Sequence, residues 1–292
     1  MLASGEMSDK PIENISDTAM WVAVYRAMES ERPDAHFHDP YARMLAGNRG
    51  EEIVKKMPWA KSSAWAMIVR TCVIDELLLK AVQKDNVDTV LNLAAGLDTR
   101  PYRLSLPPTL RWIEVDLPGI FNFKEEKLSG QNPVCKLQRV QLDLSDASAR
   151  QTLFARIDAE SKQVFIITEG LLVYLPSDQV AALATDLASQ KTFRFWIADI
   201  ASPVLLQWLN RRFGKMLAAA GVLMQFAPEE GADFFTGFGW EVVEFRPTID
   251  EARRLRRQMP FSRVWRVLGL LASKKQREGF RQAGMVLMKR KD

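Results

Sequence analysis

Histidine and cysteine are scarce in this chain, two of each among 292 residues. His36 and His38 stand close together, and His38 precedes Asp39-Pro40, a pair suited to ending a helix. A catalytic histidine is therefore not expected. Cys72 and Cys135 show no metal or redox spacing. Both are expected to be reduced thiols of a cytoplasmic protein, and no metal site is expected. No stretch approaches the eighteen apolar residues of a membrane span. The first residues carry Glu6, Asp9 and Glu13 without an apolar run, which does not match a signal peptide. Repeats and low-complexity segments are also lacking.

What is present is the composition of a soluble globular domain, 47% hydrophobic and 26% charged. The net charge of +4 hides an asymmetry. Residues 246–292 carry 14 Lys and Arg against 4 Asp and Glu, so the rest of the chain is acidic. A basic tail can mark nucleic-acid binding. A solvated surface around amphipathic helices is the plainer reading. Trp265, Val267, Leu268, Leu270 and Leu271 lie among these charges, so part of the tail is expected to pack on the body.

From Ser16 to Lys84 the pattern is helical, with Ser16 or Asp17 as a candidate cap and breaks at Pro33 and Pro40. Trp65, Ile68, Val69, Cys72, Val73, Leu77 and Leu78 recur at helical spacing. Strands and helices then alternate. Residues 89–93, 111–116, 136–141, 164–168, 193–199, 240–245 and 285–288 read as strands, several of them continuous apolar runs, with helices between most of them, as at 177–189. This alternation predicts an α/β fold with a mostly parallel, doubly wound sheet, whose ligands bind beyond the carboxyl ends of the strands. The expected division is a helical cap over 16–84, a cofactor-binding core over 85–200, an apolar helical insertion over 201–235, and C-terminal strands with basic helices over 236–292. The insertion reads as a lid that excludes water or as an ordinary packed helical pair.

Val90-Leu91-Asn92-Leu93-Ala94-Ala95-Gly96 ends an apolar run at a glycine, and Asp116 closes the next run twenty residues later. Such a glycine lets the backbone approach a nucleoside, and such an acid accepts ribose hydroxyls. Gly96 could also serve a tight turn, and Asp116 a strand-end cap; Glu114 is the backup ribose candidate. The dinucleotide glycine pattern is lacking, and Asp98 stands where a pyrophosphate would sit. These features favour a phosphate-free, positively charged nucleoside, S-adenosyl-L-methionine (SAM). Asp143, just past the third strand, suits an adenine amine or a helix cap, the latter shared with Ser145. Glu169 lies amid apolar neighbours and needs a cationic partner. The SAM ammonium or a structural ion pair would serve. Arg70 could pair with the ligand carboxylate or lie at the surface.

Leu93-Ala94-Ala95-Gly96-Leu97-Asp98-Thr99-Arg100, Glu114-Val115-Asp116 and Thr168-Glu169-Gly170-Leu171-Leu172-Val173-Tyr174 resemble the leucine carboxyl methyltransferase family. His38-Asp39-Pro40-Tyr41 and Val69-Arg70-Thr71 match its N-terminal part. The resemblance, which runs from about residue 16 to the end, implies a class I SAM-dependent methyltransferase, Rossmann-like, with seven strands and the last antiparallel. It further implies that Arg70 holds the SAM carboxylate and Gly96 lines the cofactor loop. Asp116 would bind ribose, Asp143 and Leu144 adenine, and Glu169 the amino-acid end. Ala94 replaces a glycine usual in the family.

A carboxylate acceptor arrives ionised and needs no general base, whereas an alcohol or phenol does. The scarcity of base candidates favours a carboxylate on a small molecule or peptide as the methyl acceptor. Tyr25 and Tyr174 read as pocket-lining or core residues. Two other readings stand beside this one. One is a nicotinamide oxidoreductase. The other is an RNA methyltransferase or nucleic-acid-binding protein, suggested by Arg253-Arg254-Leu255-Arg256-Arg257. Catalytic residues and oligomeric state are left open.

Overall fold

Apolar runs bounded by turn residues become the strands of one sheet. The computed structural model describes residues 12, 15–57, 60–259 and 274–292. Residues 1–11 and the five apolar residues from Trp265 to Leu271 named above lie outside the described residues. The strands are β1 (Thr89–Leu93), β2 (Arg111–Asp116), β3 (Lys136–Gln141), β4 (Val164–Thr168), β5 (Phe193–Ile200), β6 (Trp240–Pro247) and β7 (Gly284–Arg290). Their order is β3-β2-β1-β4-β5-β7-β6. Neighbours from β3 to β5 pair in parallel, and β7 runs antiparallel between β5 and β6. The first four strands span the expected residues. The last three run further, because pairing with β7 carries polar ends such as Lys289 and Arg290 into the ladder.

The central strands β1 and β4 are buried along their whole length, whereas the edge strand β3 is largely exposed and polar. Alternation sends successive side chains to opposite faces. Trp112, Phe165 and Ile167 join one core with helices α1 (Ile15–Ser30), α2 (Ala42–Lys56) and α3 (Ala60–Lys84). Ile113, Val164 and Ile166 join another with α6 (Ala147–Glu160) and α7 (Ser177–Ala188). Between these pairs lie α4, a single turn over Arg100–Arg103, and α5 (Pro118–Lys127).

Two details differ from the sequence-based expectation. Asp17 lies within the first turn of α1, buried against Arg49 at 2.7 Å, rather than capping the helix. The insertion is helical only in part. Ser202 caps α8 (Pro203–Ala218) by accepting from the Leu205 amide, and Pro203 follows at the first turn. Residues Gly231–Phe238 form a 3-10 helix instead, with Phe235 packed edge-on to Trp196 at 5.0 Å. That half of the segment belongs to the core. Two further helices, α9 (Thr248–Arg254) and α10 (Lys274–Arg281), flank β6 and β7.

The arginine-rich stretch after β6 is tied into the body. Arg257 grips Glu29 with two nitrogens at 2.9 Å. Arg254 bonds Glu76 and Glu251, and Arg253 bonds Asp250. Three of the four arginines that suggested nucleic-acid binding thus have carboxylate partners within the chain.

Candidate active site

Strand order reverses between β1 and β4, and the loops leaving β1, β2, β3 and β4 open there into one cavity of about 2170 Å³. Arg70, Gly96, Asp116, Asp143, Leu144 and Glu169 all line it, although they span 100 residues of chain.

Gly96 has φ +50°, a conformation that L-residues avoid. Its amide donates to Asp116 Oδ2 at 2.6 Å, and the Leu117 amide donates to Oδ1 at 2.7 Å. The second strand end thus orders the first loop. Burial pushes the Asp116 carboxyl above the ordinary aspartate range, against these two amides. Glu114, the backup, is fully buried in ion pairs with Lys124 at 2.8 Å and Arg139 at 3.0 Å, away from the cavity. Ala94 also has a positive φ, +53°, so its methyl group stands in a strained loop position.

Asp143 is exposed, and its Oδ1 accepts from the Ser145 amide at 2.9 Å, which lowers its pKa. The expectation of a helix cap at Asp143 or Ser145 is corrected: Asp146 caps α6, bonding the Ala149 amide. An Asx turn precedes the cap and shapes the loop that carries Leu144.

Arg70 is buried, not a surface charge. Its Nε donates to Glu169 Oε1 and its Nη1 to Asp199 Oδ2, both at 2.9 Å. Asp199 in turn accepts from the Gly170 amide at 2.6 Å. A Cβ on Gly170, at φ +65°, would meet the Arg70 guanidinium at 3.2 Å, so glycine is required for this close approach. Arg100 completes the network. Its Nη1 donates to Glu169 Oε2 at 2.8 Å and Asp98 Oδ2 at 2.7 Å, and its Nε donates to Asp75 at 2.6 Å. Burial pushes Asp98 and Glu169 up. The surrounding cations together outweigh burial, Arg100 first in both, joined by Lys124 and Arg103 at Asp98 and by Arg70 at Glu169, and hold both carboxyls below their usual range.

Arg100, Asp75 and Asp199 were missed from the sequence. Asp75 and Arg100 lie a turn of helix or less from positions that were read, but nothing local separates a buried arginine from a surface one. Asp98 was read as a charge that repels phosphate. Arg100 neutralises it instead, and the helix after the loop is a single turn, without the macrodipole a pyrophosphate site uses. Asp39 explains the His38-Asp39-Pro40-Tyr41 stretch. It is buried and accepts from Arg26 at 2.8 Å and Thr99 at 2.6 Å, while Arg26 also donates to the Leu97 carbonyl. The N-terminal cap is thereby locked to the β1 loop. His36 and His38 bond backbone carbonyls and do not line the cavity.

The donor set fits a cationic nucleoside. Asp116, Asp143, Glu169, Asp98 and Asp199 line this half of the cavity together with Arg26, Arg70, Arg100, Arg103 and Arg150, so groups of both signs face a ligand. A ligand with a sulfonium, an ammonium and one carboxylate offers partners to both signs. The sheet order is that of the class I SAM-dependent methyltransferase fold.

The leucine carboxyl methyltransferase family model matches residues 19–188, and the chain belongs to that family. It is 31% identical to an S-adenosyl-L-methionine-dependent methyltransferase of Mycolicibacterium smegmatis, across 79% of this chain and 84% of the relative. It is also 31% identical to a protein of the same description from Streptomyces coelicolor, across 77% and 82%. In fold it is similar to a DUF574 family protein from Streptomyces avermitilis, with TM-score 0.60 and 15% identity over 94% of this chain and 97% of that one. A methyltransferase structure from Thermobifida fusca gives TM-score 0.59 and 17% identity over 97% of each. The protein is a SAM-dependent methyltransferase, and among the described residues no helix is long and apolar enough to cross a membrane.

Proposed function

We propose that the protein transfers the methyl group of SAM to a carboxylate oxygen of a small molecule or peptide. In this reading Arg70 meets the SAM carboxylate and Glu169 its ammonium, as a zwitterion inserting into an existing ion pair. Asp116 accepts the ribose hydroxyls beside the Gly96 amide, while Asp143 and Leu144 hold adenine. When bound, SAM supplies an electrophilic methyl carbon on a positively charged sulfur. The chain holds the acceptor oxygen in line with that carbon and keeps water out, the two requirements of a displacement of this kind. Helix α8 serves as part of the cover.

One observation carries the carboxylate assignment. The acidic groups near the reacting end, Asp98, Glu169 and Asp199, are all engaged with Arg70 or Arg100. Burial pushes the hydroxyls of Tyr25 and Tyr174, which line the cavity, upward and away from use as bases. None of these five groups is available as a proton acceptor for an alcohol. An acceptor that arrives ionised needs none. Family membership supports the same choice.

The test uses SAM labelled in its methyl group and a panel of acids, phenols and alcohols. The expected product releases methanol in mild alkali, as esters do. An alkali-stable methylated product would show an ether or amine and overturn the carboxylate assignment.

A further inference from the structure

The cavity is larger than one ligand requires. Small-molecule pockets take roughly 300–1,000 Å³. At about 2170 Å³ this one holds the cofactor and a second molecule at least as large. The two parts of its wall differ in chemistry. The part away from the β1 and β2 loops is formed by α1, α3 and α8, with α9 and α10 alongside. Trp21, Tyr25, Trp65, Trp208 and Phe213 stand there. Trp21 meets Phe213 at 5.8 Å, and Trp208 meets Phe213 edge-on at 6.3 Å. Trp208 is 40% exposed, an unusual amount of indole surface to leave open beside an apolar chamber.

Charged groups of both signs border the same part. Arg253 and Arg281 both line the cavity and share one carboxylate, Asp250, at 3.0 Å and 3.3 Å. Glu278 lines the same wall, so these two cations face two carboxylates. Arg212 adds a guanidinium over the Trp208 ring at 5.9 Å. A chamber lined by aromatic rings suits a molecule with a large apolar body. A peptide fits it less well, because its backbone amides would lose water against aromatic faces.

Resting on the carboxyl-methylation reading above, we propose that the methyl acceptor is a lipophilic carboxylic acid whose apolar body is at least the size of the cofactor and lies along Trp21, Trp208 and Phe213. The carboxylate points at the cofactor half and the apolar body fills the helical half.

The experiment separates this from the reading it rests on by measuring binding without turnover. Protein saturated with S-adenosylhomocysteine is titrated with hexanoate, octanoate, decanoate and dodecanoate, each below its micelle concentration. Tryptophan fluorescence and calorimetry report binding. Affinity is expected to rise roughly three- to fourfold per added methylene. Trp208→Ala should weaken dodecanoate binding roughly tenfold and leave S-adenosylhomocysteine binding within twofold. Affinity indifferent to chain length, or tighter binding of an N-acetylated tripeptide than of dodecanoate, overturns the proposal. Long acids that bind but accept no methyl group would keep the chamber assignment and remove carboxyl methylation. Short acids that are methylated with length-independent affinity would do the reverse.

Discussion

The two halves of the cavity are built on opposite principles. The cofactor half is a set of strand-end loops whose charged atoms are already paired, with Arg100 alone joining Asp75, Asp98 and Glu169. The helical half is a wall of aromatic rings in edge and tilted contacts, with charged groups of both signs at its rim. Buried ion pairs demand one geometry, because a displaced charge is left unsolvated. Ring contacts tolerate many shapes at similar energy. A fixed, charge-matched site suits a ligand that never changes, and an adaptable apolar one suits an acceptor whose shape is set elsewhere.

That contrast can be broken at its strongest point. Arg100→Leu removes the common partner of three carboxylates. We expect a loss of about 3–5 kcal/mol in urea unfolding. A loss under 1 kcal/mol would mean that the network does not hold the cofactor half in place. Asp116→Ala should lower SAM affinity roughly a hundredfold by calorimetry, the loss of charge-assisted hydrogen bonds totalling about 2–3 kcal/mol, with circular dichroism unchanged. Unchanged affinity would refute the ribose assignment. Glu169→Gln keeps the shape and removes the charge, so a drop of about tenfold is expected. An equal dissociation constant would make the residue a structural ion pair only.

Acid sharpens the same comparison. Asp116 has a raised pKa, so the ionised form that SAM needs is lost on acidification before an ordinary aspartate would titrate. Asp98 and Glu169 have lowered values. Their contribution to stability is complete above the ordinary carboxylate range and is lost only as pH falls through the depressed values. SAM affinity should therefore fall at a higher pH than the fold does. Coincident loss in calorimetry and circular dichroism would contradict this. The smallest effect is expected at Ala94→Gly. Relief of the φ +53° position should stabilise the protein by about 0.5–1 kcal/mol, read from the urea midpoint, despite the greater freedom of glycine when unfolded.

Much of the cofactor half was legible in the chain because strand ends are local features. Gly96, Asp116, Asp143 and Glu169 each stand at or just past the end of a strand, and parallel topology carries all such ends to one side of the sheet. The helix cap at Asp146 was misplaced by a residue or more because aspartate, serine and aspartate follow one another there, and only backbone angles choose among them. The 231–238 segment was misread because its aromatic pattern is shared by α- and 3-10 helices, and packing on Trp196 made the choice.

Alternating apolar runs, their strand-end carboxylates and the glycine after the first strand determined the sheet and the kind of cofactor from the sequence alone, since each depends on neighbours in the chain. Tertiary structure alone decided that Arg70 and Arg100 are buried, that they pair with Asp75, Asp98, Glu169 and Asp199, and that aromatic rings from α1, α3 and α8 face one chamber. Those outcomes depend on distances between segments far apart in sequence, where burial turns an ordinary charge into one that must have a partner.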